Sequence, residues 1–400
     1  MRGEPMRRDL AIDFVRGAGI LMIGVDHLTW LAEKFGSPEF VNPFITWIKI
    51  GWSSAAEFFV FFSGYLTGIV YLKTMQTHGV GMMWARAAQR SWHIYVLNLL
   101  TLCAVLMLLR SPVLFNDQLN AMTGISWLMG PQSGSMLAAF LGMRFEPLYF
   151  EILNLYIVLL LIAPAIVLLT RISTILPLML SFGIWLFVQL NAAYTFAPAL
   201  DLSENFNPLG WQFMFVLGML AGIHDIFRKL RAAWSHERLL LVSGGLLLLA
   251  FLLKALDYSN WSIPYLGPLA IPGFDKPNLG PLQVIHFLIS VVFVMQIIPR
   301  SEAAQRSLAM RAVASVGKRS LECFCLSTIL VYVAVAIMAR DMSFDAISVF
   351  IAGVTIVALL CIAAPVVGWI GDKPWRKPKP ESARDASGSE DPSVVARTVP

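Results

Sequence analysis

Apolar runs of about 20 residues recur along the whole chain, and a run that long is what a helix needs to cross the hydrocarbon core of a bilayer. Ten can be drawn, over 11–31, 52–72, 87–109, 149–169, 173–190, 209–227, 239–256, 281–299, 320–338 and 346–369. In lipid each backbone N–H and C=O must find a partner inside the protein, so each run is expected to be a helix. The alternation that a membrane barrel needs is absent. Composition agrees: 57% of the 400 residues are hydrophobic and 14% charged, where soluble domains run near 45–50% and about 25%. The expected fold class is all-α: a polytopic integral membrane protein with about ten transmembrane helices.

Charge distribution orients it. With the N-terminus placed in the cytoplasm, 22 of the 30 Lys and Arg fall in cytoplasmic segments and 6 outside, while Arg16 and Lys254 lie within helices. Such asymmetry predicts an even number of spans with both termini cytoplasmic. The net charge of +5 therefore reports topology, with no nucleic-acid partner implied. The first run carries Asp13, Arg16, Asp26 and His27, unlike the core of a cleavable signal, and is expected to be the first membrane helix. Residues 1–370 form the expected transmembrane domain. The Pro-, Ser- and charge-rich tail at 371–400 is expected to be a disordered cytoplasmic segment.

Smaller features fill in the plan. In the long outer segment Ser111 to Leu148, the stretches around Ile125–Met129 and Met136–Met143 are expected to lie in the interface or re-enter the membrane. Gly64 and Gly68 form a small-xxx-small pair that lets another helix approach closely. Cys103, Cys323, Cys325 and Cys361 lack metal or disulfide spacing and are expected to pack as small buried hydrophobes. No metal, nucleotide or dinucleotide motif is present. His78, His224 and His236 fall in cytoplasmic loops or helix ends and are expected to be surface residues.

Ionisable side chains inside membrane spans are expensive, which makes each a functional candidate. Here they sort into two layers. Asp26 and His27 sit about one turn from the outer end of the first helix. Glu57, Glu151, Gln212 and His286 lie at similar depth near the outer ends of four other helices. The second layer is cytoplasmic and basic: Arg16 two turns into the first helix, then Arg86, Arg90 and His93, then Lys318 and Arg319. Asp13 is spaced to pair with Arg16. Arg guanidinium groups suit phosphate recognition, although a basic cytoplasmic layer also follows from topology alone. Arg16 and His27 are eleven residues apart, about 16 Å along a helix. A phosphate-rich ligand with a long thin arm bridges that distance, and coenzyme A has that shape.

Six segments carry a family resemblance: RRDLAIDFVRGAGILMIGVDH (Arg7 to His27), SSAAEFFVFFSGYLTG (Ser53 to Gly68), EILNLYIVLLLIAP (Glu151 to Pro164), FNPLGWQFMFVLGMLAG (Phe206 to Gly222), LQVIHFL (Leu282 to Leu288) and VGKRSLECFCLSTIL (Val316 to Leu330). In this order they resemble the OpgC (MdoC) glucan succinyltransferase family, a branch of the acyltransferase family 3 membrane enzymes. The resemblance implies a multi-pass enzyme of the bacterial inner membrane, an O-acyltransferase that moves an acyl group, succinyl in named members, onto osmoregulated periplasmic glucans. The implied donor is cytoplasmic acyl-CoA. The family's helix-1 histidine maps onto His27 and its arginine onto Arg16, with Arg86 and Arg90 matched more loosely.

On that basis His27 is expected to take the proton of a sugar hydroxyl as it attacks the thioester, a task suited to an imidazole. Asp26 points about 100° away on the helix; it is expected to bind acceptor hydroxyls or brace the site. Glu57 or Glu151 is the expected partner that orients His27. Arg16, Arg86, Arg90 and Arg319 are the expected donor-binding residues. Glu151, Trp211, Gln212 and His286 are the expected substrate contacts, with Trp211 also fitting an interfacial belt. A proton-coupled transporter is the competing class: Asp26, His27, Glu57 and His286 would relay protons and the Arg layer would select an anion. No inverted repeat favours it.

Overall fold

The structure is a computed structural model that describes residues 10–36, 41–47, 51–191, 206–258, 262–263, 267–268, 275–299, 301–341 and 343–371. Its helices are α1 (Leu10–Phe35), α2 (Ala55–Leu109), α3 (Asp117–Met122), α4 (Ile125–Met129), α5 (Ser133–Leu141), α6 (Glu151–Ile172), α7 (Ile175–Leu190), α8 (Pro208–Ile223), α9 (Ile226–Ala233), α10 (His236–Tyr258), α11 (Pro281–Ile297), α12 (Glu302–Arg306), α13 (Leu308–Lys318), α14 (Ser320–Asp341) and α15 (Ala346–Gly371). One antiparallel pair of two-residue strands, β1 (Ser262–Ile263) and β2 (Gly267–Pro268), interrupts the helices. The tail beyond Gly371 lies outside the described residues.

Each expected apolar run is largely helical, but the number of crossings is a narrower finding. Five described helices are long and apolar enough to span a membrane, or six if the bent pair α8 and α9 counts as one. Helix α1 has the length, at 26 residues, but Arg16, Asp26 and His27 dilute its apolar character. Helices α7 and α11 have 16 and 17 residues, about 24 and 26 Å at 1.5 Å per residue, short of a hydrocarbon core of about 30 Å.

Two expected runs, 52–72 and 87–109, belong to the single element α2. The segment between them is helical, and the break is one residue, Gly79, at φ 84° and ψ 173°, a conformation that glycine adopts without steric cost. Arg86 Nη1 donates to Thr74 Oγ1 at 2.5 Å across twelve positions. Twelve residues of straight helix cover about 18 Å, so the two arms fold back on each other at Gly79. The run expected over 209–227 likewise bends, by 67°, between α8 and α9, where Asp225 takes φ 51°.

Within a membrane, helices associate through close packing rather than through water exclusion. Gly64 and Gly68 of α2 meet Gly218 and Gly222 of α8 in an interlocked crossing. A Cβ on Gly64 or Gly68 would strike the Phe215 or Met219 carbonyl, and one on Gly218 or Gly222 the Phe61 or Tyr65 carbonyl. The small-xxx-small expectation is thus met, with a matching pair on the partner helix. Gly17 of α1 and Gly317 of α13 make a second backbone contact of this kind. Aromatic side chains fill the centre, among them Phe62, Trp211, Phe215, Phe287, Phe324 and Tyr332, all under 2% exposed. Exposed Leu241, Leu248, Phe350, Ile351 and Ile362 give α10 and α15 an apolar outer face. Cys103 is also exposed, against the expectation of burial, whereas Cys323 and Cys325 are buried.

Candidate active site

Helix α1 places His27 and Arg16 in two different cavities. The first, of about 770 Å3, is walled by Asp26, His27 and Trp30 of α1, Ser54 to Ala56 at the start of α2, Tyr149 and Glu151 at the entry to α6, Phe324 of α14, and Phe206 and Lys276. Met122 and Leu148 also line it, so the 111–148 segment forms part of its wall. The expected apolar stretches there are the short helices α4 and α5, on which Trp127, Leu137 and Leu141 are exposed.

The plane of the His27 ring is set by aromatic packing. Tyr149 stacks on it with centroids 3.7 Å apart and a 7° interplanar angle, and Phe324 presents an edge at 6.3 Å. The Tyr149 hydroxyl donates to the His27 carbonyl oxygen at 2.9 Å. Tyr149 holds a left-handed backbone, φ 73°, uncommon for a residue with a side chain. Beside it, the Tyr332 hydroxyl donates to Leu148 O at 2.9 Å, fixing the same loop. His27 Nδ1 is buried and has no hydrogen-bond partner among the described residues.

Glu57, expected as a partner for that imidazole, is occupied elsewhere. Its Oε2 accepts from the Ser54 N–H at 2.8 Å and the Ser54 hydroxyl at 2.6 Å, and its Oε1 accepts from Gln283 Nε2 at 3.1 Å. With Ser54 as N-cap this is a capping box, which satisfies donors at the helix start and ties α2 to α11. Glu57 does not line the cavity, whereas Asp26 and Glu151 do.

Three expected substrate contacts also lie elsewhere, each held by bonds of its own. Trp211 is fully buried, and its Nε1 donates to Lys276 O and Pro277 O, both at 3.1 Å. Gln212 clamps α8 to α7: its Nε2 donates to Ser181 O at 2.9 Å, and its Oε1 accepts from Ser181 Oγ at 2.6 Å. His286 Nδ1 accepts from the Ser53 N–H at 3.2 Å, and its ring lies where a Cβ on Gly51 would sit. Sequence position had put these groups at one depth; the facing of each helix decides which reach the cavity.

The second cavity, of about 700 Å3, gathers Arg16 of α1, Tyr71, Arg86, Arg90 and His93 from both arms of α2, Tyr156 of α6 and Ser320 of α14. Three of the four expected donor-binding arginines therefore converge. Arg16 Nη2 donates to Ser320 Oγ at 2.6 Å, and the Tyr71 hydroxyl is buried without a partner among the described residues. Arg319 is the exception. It follows the last turn of α13, and its Nη2 donates to Gly368 O of α15 at 3.3 Å, away from the cavity lining.

One aromatic pair stands between the cavities. Phe59 lines the arginine cavity and Phe324 the histidine cavity, and their rings stack at 6.3 Å and 18°. Tyr156 braces Phe59 edge-on at 4.9 Å. Tyr149, Lys276, Phe59 and Phe324 escaped sequence reasoning: Lys276 lies outside the apolar runs, and the three aromatics are indistinguishable in sequence from core residues.

A helical membrane protein with a histidine/carboxylate cavity and an arginine cavity joined by one helix is the class this architecture defines. The family profile described as OpgC protein matches residues 8–372, and the chain belongs to that family. Neither a curated protein nor a solved structure matches it. Family membership implies an acyltransferase-type enzyme with a role in glucan modification.

Proposed function

We propose that the protein transfers an acyl group, succinyl in the first instance, from cytoplasmic acyl-CoA to a hydroxyl of a periplasmic glucan, with His27 as general base. The observation that carries this reading is the pair of cavities on α1: the basic one suits the phosphates of coenzyme A, and the other is lined by the His27 ring together with carboxylates. Arg16 and His27 are about 16 Å apart along the helix axis, a distance the pantetheine arm spans. The charge asymmetry of the loops supports a cytoplasmic N-terminus and an even number of crossings, and membership of the OpgC family supports residence in a bacterial inner membrane.

The acceptor hydroxyl gives its proton to His27 as its oxygen attacks the thioester carbonyl. The tetrahedral intermediate collapses with cleavage of the C–S bond, and the imidazolium returns the proton to the departing thiolate, leaving an ester and free CoA. Stacking on Tyr149 orients the imidazole without engaging Nδ1, so no carboxylate has to hold it. Asp26 and Glu151 are placed to bind sugar hydroxyls.

The test is purified protein in lipid nanodiscs with acyl-CoA and glucan, the product followed by mass spectrometry. Ester formation that His27→Ala abolishes in a folded protein is the expected result. Full activity in that variant removes the mechanism. Glucan uptake into liposomes without acylation replaces the enzyme reading with transport.

A further inference from the structure

The histidine cavity is lined by three carboxylates, Asp26, Glu33 and Glu151, and among its described lining residues Lys276 is the one Lys or Arg. The backbone that delivers this lysine is pinned from several sides. Trp211 donates to the Lys276 and Pro277 carbonyls. The Asn207 N–H donates to Pro277 O at 2.8 Å, and Asn207 Nδ2 to Asn278 Oδ1 at 2.8 Å. Asn278 Nδ2 in turn donates to Asp275 Oδ2 at 2.8 Å. A lysine in a solvated outer loop needs no such support. The ammonium lies 5.8 Å from the centroid of the Phe206 ring and makes no ion pair within 4 Å to a described carboxylate.

Electrostatics gives this arrangement a use. A neutral acyl group enters the cavity without regard to its carboxylates. An acyl group ending in its own carboxylate brings a further negative charge beside three existing ones and needs a fixed cation to offset it. In a four-carbon dicarboxylic thioester, two methylenes separate the free carboxylate from the reacting carbonyl, so a cation in the lining that His27 shares can meet the carboxylate while the carbonyl faces the base. We propose that Lys276 is the specificity-determining residue of the transfer reaction: its ammonium pairs with the terminal carboxylate of a dicarboxylic acyl group and selects anionic over neutral acyl thioesters. This rests on the acyl-transfer reading. It gives Trp211 a role as well, as the side chain that holds the Lys276 backbone in place.

The experiment compares wild type, Lys276→Ala, Lys276→Met and Lys276→Arg in nanodiscs, with succinyl-CoA and acetyl-CoA offered separately and in competition. Thermal melts identify variants that fold. Wild type is expected to favour succinyl. Lys276→Ala and Lys276→Met are expected to lose tenfold or more in kcat/KM for succinyl-CoA while acetyl-CoA changes by less than about threefold, a shift in ratio that reports selection. Lys276→Arg, which keeps the charge, is expected to keep most of the preference. Equal losses with both donors would reassign Lys276 to general oxyanion stabilisation or to structure and overturn the proposal. An unchanged ratio, or a wild type that favours acetyl, overturns it too. If both neutral variants fail to fold, loss of the preference in a folded Lys276→Arg also overturns it. A wild type that transfers neither group refutes the acyl-transfer reading itself, an outcome distinct from transfer without charge selection.

Discussion

The two cavities hang on the same helix but are built by different means. Around His27 the fixed parts are flat rings and loop backbone: Tyr149 stacked at 3.7 Å, Phe324 edge-on, and a loop in which Tyr149 holds a left-handed conformation. Around Arg16 the parts are long side chains reaching for hydroxyls, Arg16 to Ser320 and Arg86 to Thr74. The first arrangement fixes one ring plane, as a proton transfer requires. The second lets guanidinium groups exchange a hydroxyl for a phosphate oxygen, a stronger charge-assisted partner. The Phe59–Phe324 pair gives one ring to each lining, so the two cavities are neighbours. In the proposed reaction, chemistry falls to the rigid end and ligand capture to the adaptable one.

The most severe way to break this division is His27→Ala. Loss of a general base costs about 10²- to 10⁴-fold in rate, so transfer is expected to collapse while CoA binding, measured by calorimetry, stays within twofold. Loss of CoA binding as well would join the two ends functionally. Next comes Arg16→Ala, which is expected to weaken CoA binding by about tenfold, equivalent to about 1.4 kcal/mol, with kcat changed less than KM. An unchanged affinity would take Arg16 out of the donor site.

Glu57→Ala probes a residue that belongs to neither cavity. It removes the acceptor of the Ser54 N–H and of Gln283 Nε2, and orphaned buried donors cost about 1–3 kcal/mol. A lower melting temperature is expected, with kcat per folded molecule retained; a kcat collapse in fully folded protein would instead restore Glu57 as the partner of His27. The smallest effect is expected of Arg319→Ala, which lies outside the arginine cavity: CoA affinity within twofold of wild type. A tenfold loss there would extend the donor site towards α15.

Comparison of the expected and observed sites shows what kind of information each level holds. Arg16, Arg86 and Arg90 share a depth along their helices and also line one cavity. Gln212 and His286 share a depth with His27 but line neither cavity. Depth is a one-dimensional property, whereas lining a cavity also requires the right rotation about the helix axis and the right neighbour. Gln212 faces Ser181 and His286 faces Ser53, and each is hydrogen-bonded there. Glu57 failed for a local reason: Ser54 lies three residues before it, the spacing of a capping box, and that pattern was visible in SSAAE.

Fold class, membrane character and family follow from local properties of the chain: the length of apolar runs, the cost of ionisable groups in lipid and the motifs around Arg16, His27 and Glu57. The Gly64 and Gly68 pair likewise announced a close crossing, because a missing Cβ is a property of the residue itself. Its partner, Gly218 and Gly222, and the stacking of Tyr149 on His27 were decided only by tertiary structure. So were the placement of Lys276 by Trp211 and the pairing of Phe59 with Phe324. Each of these is a meeting of segments far apart in sequence, and which faces meet depends on how all the helices pack together, which no single run encodes.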